Sequence, residues 1–188
     1  MKEIDTGYKK RHILITGSPG VGKTTLIASI VVRLPGTKTG FITREIRKGG
    51  VRKGFIIETL DGERASLAQV TPFGSPRVGK YRVISESIRR VGVPAIGGRA
   101  DFIVIDEIGK IEGTPEGFIR AVHKVLAGPS TVIATIAGNG NSFIEEIKLR
   151  PDVQLFKMTL RNRDSLAEDI LKKISASMAD DDGWANRR

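Results

Sequence analysis

The most informative residues form a glycine-rich run between an apolar stretch and a helical pattern. The run comprises Gly17, Ser18, Pro19, Gly20, Val21, Gly22, Lys23 and Thr24, and Thr25 follows it. Glycines let a backbone wrap around phosphates, and the N–H groups and dipole at a helix start favour anions. The pattern predicts a P-loop (Walker A) in which Lys23 reaches the β- and γ-phosphates and the Thr24 hydroxyl ligates Mg²⁺. We therefore expect residues 17–25 to bind a nucleoside triphosphate.

A second candidate site is the acidic pair Asp106 and Glu107, which directly follows the apolar residues 102–105. An apolar strand that delivers an aspartate to its carboxyl end is typical of a Walker B motif, so we expect Asp106 to hold Mg²⁺. Glu107 can orient and deprotonate the attacking water, which favours hydrolysis over simple binding. Such a pair can also be solvated at a strand end, so this interpretation depends on the P-loop that precedes it.

Weaker signals follow the acidic pair. Gly109 permits a sharp turn near the phosphates and Lys110 could contact the nucleotide, although both can be ordinary loop residues. Thr135, near the end of the next predicted strand, could sense the γ-phosphate or could simply favour β-structure. Gly109 and Lys110 are therefore retained as candidate nucleotide-binding residues, and a role for Thr135 stays open.

The last candidate group is Arg161, Asn162 and Arg163, between a predicted strand and the final helix. An arginine here could stack on the base or stabilise charge that develops on the transferred phosphoryl group. The alternatives are solvated arginines and an asparagine that caps the helix. We retain Asn162 as a candidate nucleotide-binding residue and Arg163 as a candidate catalytic residue.

Alternating strands and helices must position these groups. Apolar runs predict strands at 12–16, 100–105, 130–136 and 153–160. Helical spacing predicts helices at about 26–34, 115–126, 142–149 and 164–174, with Thr114 placed to cap the second. This order predicts an α/β fold with a mostly parallel sheet and helices on both faces.

An antiparallel meander is predicted between the first helix and the rest of the fold. Its strands at 40–47, 51–59 and 63–67 are joined by turns at 48–50 and 61–62. Residues 70–79 predict a loop, 81–84 a short strand, and a helix begins near Glu86. We expect one domain over residues 1–178 and a flexible tail over 179–188.

Composition narrows the class of protein. The 188 residues include no cysteine, which excludes disulfides and thiolate metal sites, and no apolar stretch is long enough to cross a membrane. Without an apolar signal segment near residue 1, we expect a cytoplasmic protein. We also expect it to act as a monomer. The net charge of +10 permits a nucleic-acid partner. That partner is not favoured, because the cations are spread along the chain; their densest cluster is Arg44, Arg47, Lys48, Arg52 and Lys53.

Two segments are more specific than the P-loop. Phe41, Thr43, Glu45 and Arg47 alternate along a predicted hairpin strand, and residues 106–110 read Asp-Glu-Ile-Gly-Lys. Together with residues 79–83, 134–136, 150–153 and 159–163, they resemble a family of small nucleoside-triphosphatases that was first described in thermophiles and has a human cancer-related counterpart. The resemblance covers about residues 12–174.

This resemblance implies a RecA-like three-layer sandwich with an inserted hairpin. It also implies Mg²⁺-dependent hydrolysis of ATP, GTP, CTP, UTP and TTP to diphosphate and phosphate, with little base preference. Ile111 stands where the family usually has methionine, and residues 136–142 are richer in glycine and asparagine than its pattern.

Three functions stay open on the sequence alone. The first is a nucleoside-triphosphatase with Lys23, Glu107 and Arg163 as catalytic residues. The second is a kinase for a small metabolite or nucleotide, with the arginine-bearing meander as its lid. The third is a nucleic-acid-associated ATPase, for which the basic hairpin is the main argument, although aromatic residues make up only 5% of the chain.

Overall fold

A computed structural model describes residues 10–70, 77–78, 81–83, 85–109 and 115–179. Within these ranges nine strands form one sheet: β1 (His12–Gly17), β2 (Lys38–Lys48), β3 (Val51–Thr59), β4 (Arg64–Val70), β5 (Arg77–Val78), β6 (Tyr81–Val83), β7 (Phe102–Ile108), β8 (Thr131–Ile136) and β9 (Val153–Met158). The helices are α1 (Lys23–Val31), α2 (Ser85–Ser87), α3 (Val93–Gly97), α4 (Glu116–Ala127), α5 (Ser142–Lys148) and α6 (Leu166–Ala179), and a π-helical turn (Ile88–Gly92) joins α2 to α3.

The sheet has the strand order β5-β6-β4-β3-β2-β7-β8-β1-β9. Five neighbouring strands, β2, β7, β8, β1 and β9, are parallel to one another. The other four, β3, β4, β6 and β5, extend the sheet beyond β2 through antiparallel pairs. The predicted α/β fold, with its parallel sheet and inserted meander, is confirmed. Parallel strands end at one common edge, so the P-loop after β1 and the acidic end of β7 lie on the same edge, with β8 between them.

Two apolar clusters cover the two faces of the sheet. Alternate residues of β1 point to opposite faces, since Leu14 belongs to one cluster while Ile13 and Ile15 belong to the other. The first cluster joins the sheet to α3, α4 and α5, and the second joins it to α1 and α6. Each fully buried aliphatic side chain contributes roughly 1.5–3 kcal/mol, so these clusters hold the three layers together.

Two element ends near the candidate site differ from the predictions. α1 ends at Val31, because Arg33 N–H bonds to the Ile30 carbonyl and tightens the last turn, although Leu34 is still buried at 4% exposure. β7 continues through the acidic pair instead of ending at residue 105. Ile108 pairs with Ile136 and is fully buried, which carries the strand past the two carboxylates.

The connection after β9 is longer than predicted, because β9 ends at Met158 and α6 begins only at Leu166. The side chain of Asn162 accepts a hydrogen bond from Thr159 N–H and turns the chain, and its carbonyl accepts from the N–H of Leu166. α6 continues to Ala179, so the predicted tail contributes this last helical residue and otherwise lies outside the described residues.

The meander agrees with its predicted strands and turns. The predicted loop at 70–79 is wrong in part, because Val70 belongs to β4 and residues 77–78 form β5, which pairs with β6. Residues 71–76 and the predicted cap Thr114 lie outside the described residues, and Pro115 occupies the N-cap of α4. Among the described residues, no helix combines the length and apolar character that a membrane span requires.

Candidate functional site

The P-loop connects β1 directly to α1. Gly17 passes so close to β9 that a Cβ there would lie 2.6 Å from the Met158 carbonyl oxygen. Gly20 and Gly22 have φ angles of 78° and 111°, which L side chains adopt only with strain. α1 then begins at Lys23, and its first-turn N–H groups have no partner one turn earlier in the helix. The loop therefore presents a compact backbone and a helix start to an anion.

Lys23 links the P-loop to the acidic pair. Its Nζ donates a hydrogen bond to the Gly17 carbonyl at 3.0 Å and lies 3.9 Å from Oε2 of Glu107. The lysine side chain is only 11% exposed. The predicted phosphate-binding lysine and the predicted base therefore lie side by side at the carboxyl edge of the sheet.

Glu107 is the more accessible of the two carboxylates, with 39% of its side chain exposed. Partial burial raises the pKa of Glu107 above its ordinary value; the nearby Lys23 opposes this shift and the Asp106 charge adds to it. A higher pKa makes the carboxylate a stronger proton acceptor. Gly109 leaves room for it, because a Cβ there would lie 3.3 Å from Oε1 of Glu107.

Asp106 is buried, with 1% exposure, and both of its carboxylate oxygens accept hydrogen bonds. Thr135 Oγ1 donates to Oδ1 at 2.5 Å. Thr43 donates to Oδ2 through its hydroxyl at 3.2 Å and through its N–H at 3.4 Å. A carboxylate oxygen has two lone pairs, so these contacts fix the orientation of Asp106 and leave acceptor capacity for a cation.

Two threonines at this edge, Thr43 and Thr16, had no predicted role in the site. Thr43 reaches Asp106 because β2 pairs with β7 up to Phe41 and Ile105, two residues before Thr43 and one residue before Asp106. Thr16 Oγ1 is buried at the end of β1 and has no hydrogen-bond partner among the described residues. The strand order that brings β2 beside β7 is set by tertiary structure, so spacing along the chain carried no signal for Thr43.

The last candidate group, Arg161, Asn162 and Arg163, lies in the connection between β9 and α6. The side-chain oxygen of Asn162 accepts from Thr159 N–H at 2.7 Å and from Thr159 Oγ1 at 3.0 Å, and its Nδ2 donates to the Lys157 carbonyl at 3.0 Å. Arg161 is exposed, and Arg163 Nε lies 3.4 Å from Oδ1 of Asp164. Among the described residues, no ion pair or hydrogen bond joins these two arginines to Lys23 or to the acidic pair.

A cavity of about 310 Å³ lies between the P-loop and the end of β9. Its walls are residues 18–21 and 157–160. Ligand pockets generally measure about 300–1,000 Å³, so this cavity can accept one end of a small molecule. It adjoins residues 17–25, the predicted phosphate-binding loop.

The loop after β8, rich in glycine and asparagine, is ordered by its own contacts. A Cβ on Gly140 would lie 2.2 Å from the Cβ of Ile144, so only glycine fits there. The side chain of Asn141 caps α5 by accepting from Ile144 N–H at 3.2 Å, and Glu145 Oε1 accepts from Gly140 N–H at 3.0 Å. Lys110 and Ile111 lie outside the described residues.

A magnesium site at this edge has a suitable but small donor set. The described residues contain no cluster of three or more His, Cys, Asp or Glu side chains that could hold a metal. Mg²⁺ prefers oxygen ligands and is commonly held by one or two protein groups together with substrate phosphates and water. The Thr24 hydroxyl and the Asp106 carboxylate are donors of this kind, so the residues present fit Mg²⁺ that arrives with a nucleotide.

Comparison with known proteins identifies the family of the chain. A family model described as NTPase matches residues 12–171. The chain is 45% identical over 166 residues to the nucleoside-triphosphatase THEP1 of Thermotoga sp. (strain RQ2), an alignment that covers 86% of this chain and 94% of the relative. It is 40% identical over 186 residues to the human cancer-related nucleoside-triphosphatase, covering 89% of this chain and 98% of the relative.

The fold comparison leads to the same family. The crystal structure of THEP1 from the hyperthermophile Aquifex aeolicus superimposes with a TM-score of 0.77 at 33% identity, covering 87% of this chain and 98% of that structure. The range that the family model matches, residues 12–171, includes the P-loop, the acidic pair and the meander. The chain therefore belongs to the NTPase family that includes the THEP1 and cancer-related nucleoside-triphosphatases.

Proposed function

We propose that this protein is a Mg²⁺-dependent nucleoside-triphosphatase that hydrolyses the β–γ phosphoanhydride bond. The observation that carries the proposal is the 3.9 Å approach of Lys23 Nζ to Glu107 Oε2, beside the buried carboxylate of Asp106. One cationic group that binds phosphate and one carboxylate that accepts a proton thus share one edge of the sheet. Membership of a nucleoside-triphosphatase family supports the same reaction.

In the proposed reaction, residues 17–25 hold the phosphate chain and Lys23 contacts the β- and γ-phosphates. Glu107 accepts a proton from the attacking water as its oxygen bonds to the γ-phosphorus, while the bond from that phosphorus to the β–γ bridging oxygen breaks. Thr24 and Asp106 would hold Mg²⁺, which would supply positive charge to the phosphates. Thr43 and Thr135 hold the Asp106 carboxylate in one orientation.

We further propose that base specificity is broad. The cavity beside the P-loop is lined by residues 18–21 and 157–160. One of them, Leu160, is exposed and offers an apolar surface that any base can contact. The hydroxyl of Thr159 is already engaged by Asn162, so it does not compete to read a base edge. We therefore propose that ATP, GTP, CTP, UTP and TTP are all substrates. Separately, we propose that the protein acts in the cytoplasm as a monomer.

The substrate proposal is tested by phosphate release from these five triphosphates, measured with and without Mg²⁺. We expect turnover numbers within about tenfold of one another and loss of turnover when EDTA removes the cation. The same assay, repeated with candidate small-molecule acceptors, separates hydrolysis from the kinase alternative. One acceptor that became phosphorylated much faster than water attacks would overturn the proposal that hydrolysis is the main reaction.

A further inference from the structure

The β2–β3 hairpin extends beyond the part of the sheet that supports it. β2 pairs with β7 only through residues 38–41, and β3 pairs with β4 only from Gly54 onward. Residues 46–53 therefore form a two-stranded ribbon that closes at the turn of Gly49 and Gly50. Thr43, on the same strand, contacts Asp106, so the ribbon rises from the edge that carries the phosphate-binding site.

The ribbon is strongly basic. Residues 46–53 contain four cationic side chains, those of Arg47, Lys48, Arg52 and Lys53, and no acidic side chain. Arg44 pairs with Glu58, and Arg47 donates to Glu45 at 3.1 Å and to the Gly50 carbonyl at 3.1 Å. Lys48 and Lys53 are exposed and make no ion pair among the described residues. Two lysine charges near the turn are thus available to a ligand.

The distance to the P-loop edge indicates the size of that ligand. A strand advances about 3.3 Å per residue, so Lys48 lies roughly 16 Å along β2 from Thr43, the residue that contacts Asp106. A small phosphoryl acceptor held at Asp106 and Glu107 could not also contact the end of the ribbon. A polymer that carries many negative charges could contact it.

The chemistry of the surface favours one polymer class. Protein interfaces usually have an apolar core, yet Val51 is the single large apolar side chain that is more than half exposed on the described part of this ribbon. Nucleic acid carries a phosphate at every nucleotide and binds lysine clusters without an apolar core. We propose that residues 46–53 form a contact surface for the phosphate backbone of nucleic acid, with Lys48 and Lys53 as its main contacts.

This surface contacts phosphates rather than bases. No base-stacking aromatic side chain lies within residues 46–53, so sequence preference is absent and the interaction depends on salt. For single strands, the logarithm of the binding constant falls with the logarithm of salt concentration by about 0.7 for each phosphate contact. Loss of two lysine contacts therefore reduces that slope by about 1.4.

The experiment measures fluorescence anisotropy of a labelled single-stranded 20-nucleotide DNA with the full chain at several salt concentrations. Excess ADP is present, so that the P-loop is occupied and does not contribute to binding. The double variant Lys48→Gln/Lys53→Gln is compared with Lys172→Gln/Lys173→Gln, which removes the same charge from exposed lysines of α6. Thermal unfolding verifies that both variants fold like the parent.

We expect the ribbon variant to bind at least fivefold more weakly at low salt and to lose about 1.4 from the slope, while the α6 variant stays near the parent. Equal losses in both variants would overturn the proposal, because bulk charge alone would then account for binding. Absence of binding by the parent at low salt would also overturn it. Binding to phosphatidylserine vesicles that depends on the ribbon, with DNA binding unchanged, would assign the surface to lipid instead.

Discussion

The hydroxyl and the N–H of Thr43 both donate to the same oxygen of Asp106, Oδ2, at 3.2 and 3.4 Å. The inserted meander therefore reaches the carboxylate that we propose for Mg²⁺. On the opposite side, Thr135 donates to Oδ1, so Asp106 is held between β2 and β8. This relationship gives the hairpin strand a direct part in the geometry of the site.

The first prediction concerns Thr43→Val, which removes the hydroxyl and keeps both the backbone N–H and the side-chain volume. One hydrogen bond to a charged group contributes about 1.5–3 kcal/mol. We therefore expect the Mg²⁺ concentration for half-maximal activity to rise at least tenfold, or turnover to fall by a similar factor. Thr43→Ser restores a hydroxyl and should recover most of the activity. Equal activity of the valine and serine variants over a Mg²⁺ titration would contradict the positioning role.

The second prediction concerns Gly40, where β2 passes beside β7. A Cβ there would lie 2.0 Å from the Val104 carbonyl oxygen, and the φ of 120° is one that L side chains rarely adopt. We expect Gly40→Ala to destabilise the protein by about 3 kcal/mol or more in urea unfolding, because strain adds to overpacking. Gly117→Ala, in open space on α4, is the control and should leave stability equal or slightly higher. If Gly40→Ala were as stable as Gly117→Ala, β2 would have to move away from β7 without loss of stability, which would contradict this prediction.

The third prediction concerns His12, which is fully buried at the amino end of β1. Its Nδ1 accepts from Val132 N–H at 3.1 Å, and its Nε2 lies 3.1 Å from the Leu126 carbonyl oxygen, which requires the neutral ring. Burial lowers the pKa of His12 to about 4, even though Asp152, shared with Arg150, lies 3.6 Å away. The folded state thus binds the proton more weakly than the unfolded chain, whose histidine pKa is about 6.5.

The stability that depends on neutral His12 is therefore complete above about pH 6.5 and is lost as the pH falls towards 4. The free energy of unfolding in urea should fall between pH 7.5 and pH 5 in the parent. This fall should be about 1–2 kcal/mol larger than in His12→Gln, whose side chain cannot titrate. Parallel pH dependence in the two proteins would contradict a buried neutral histidine.

The fourth prediction concerns Arg163, which is exposed beside Asp164 and makes no ion pair or hydrogen bond with the acidic pair in the part of the chain described. We propose that it approaches the phosphates when nucleotide binds. Arg163→Ala should then lower turnover by tenfold or more, whereas the neighbouring exposed Arg161→Ala should change it by less than threefold. Equal effects of the two variants would exclude a specific role for Arg163 and leave it as a solvated charge.

Most of the fold was predictable from the sequence because its signals are local. The glycine run, the apolar strands and the meander turns depend on neighbouring residues, and the structure confirms them. The contact of Thr43 with Asp106 was not predictable from spacing, since it depends on β2 lying beside β7 in the assembled sheet. Asn162 illustrates the reverse case. It was expected to bind nucleotide, yet its amide bonds to Thr159 and Lys157 within the turn, so nucleotide contact stays a prediction.

Glu107→Gln tests the central claim most directly, because it keeps the shape of the side chain and removes the proton acceptor beside Lys23. Nucleotide binding, followed by titration of a fluorescent ATP analogue, should stay within about threefold of the parent. Phosphate release under saturating Mg²⁺ and ATP should fall by roughly 10²-fold or more, which is the usual contribution of a general base. Phosphate release within about threefold of the parent would contradict the assignment of Glu107 as the base.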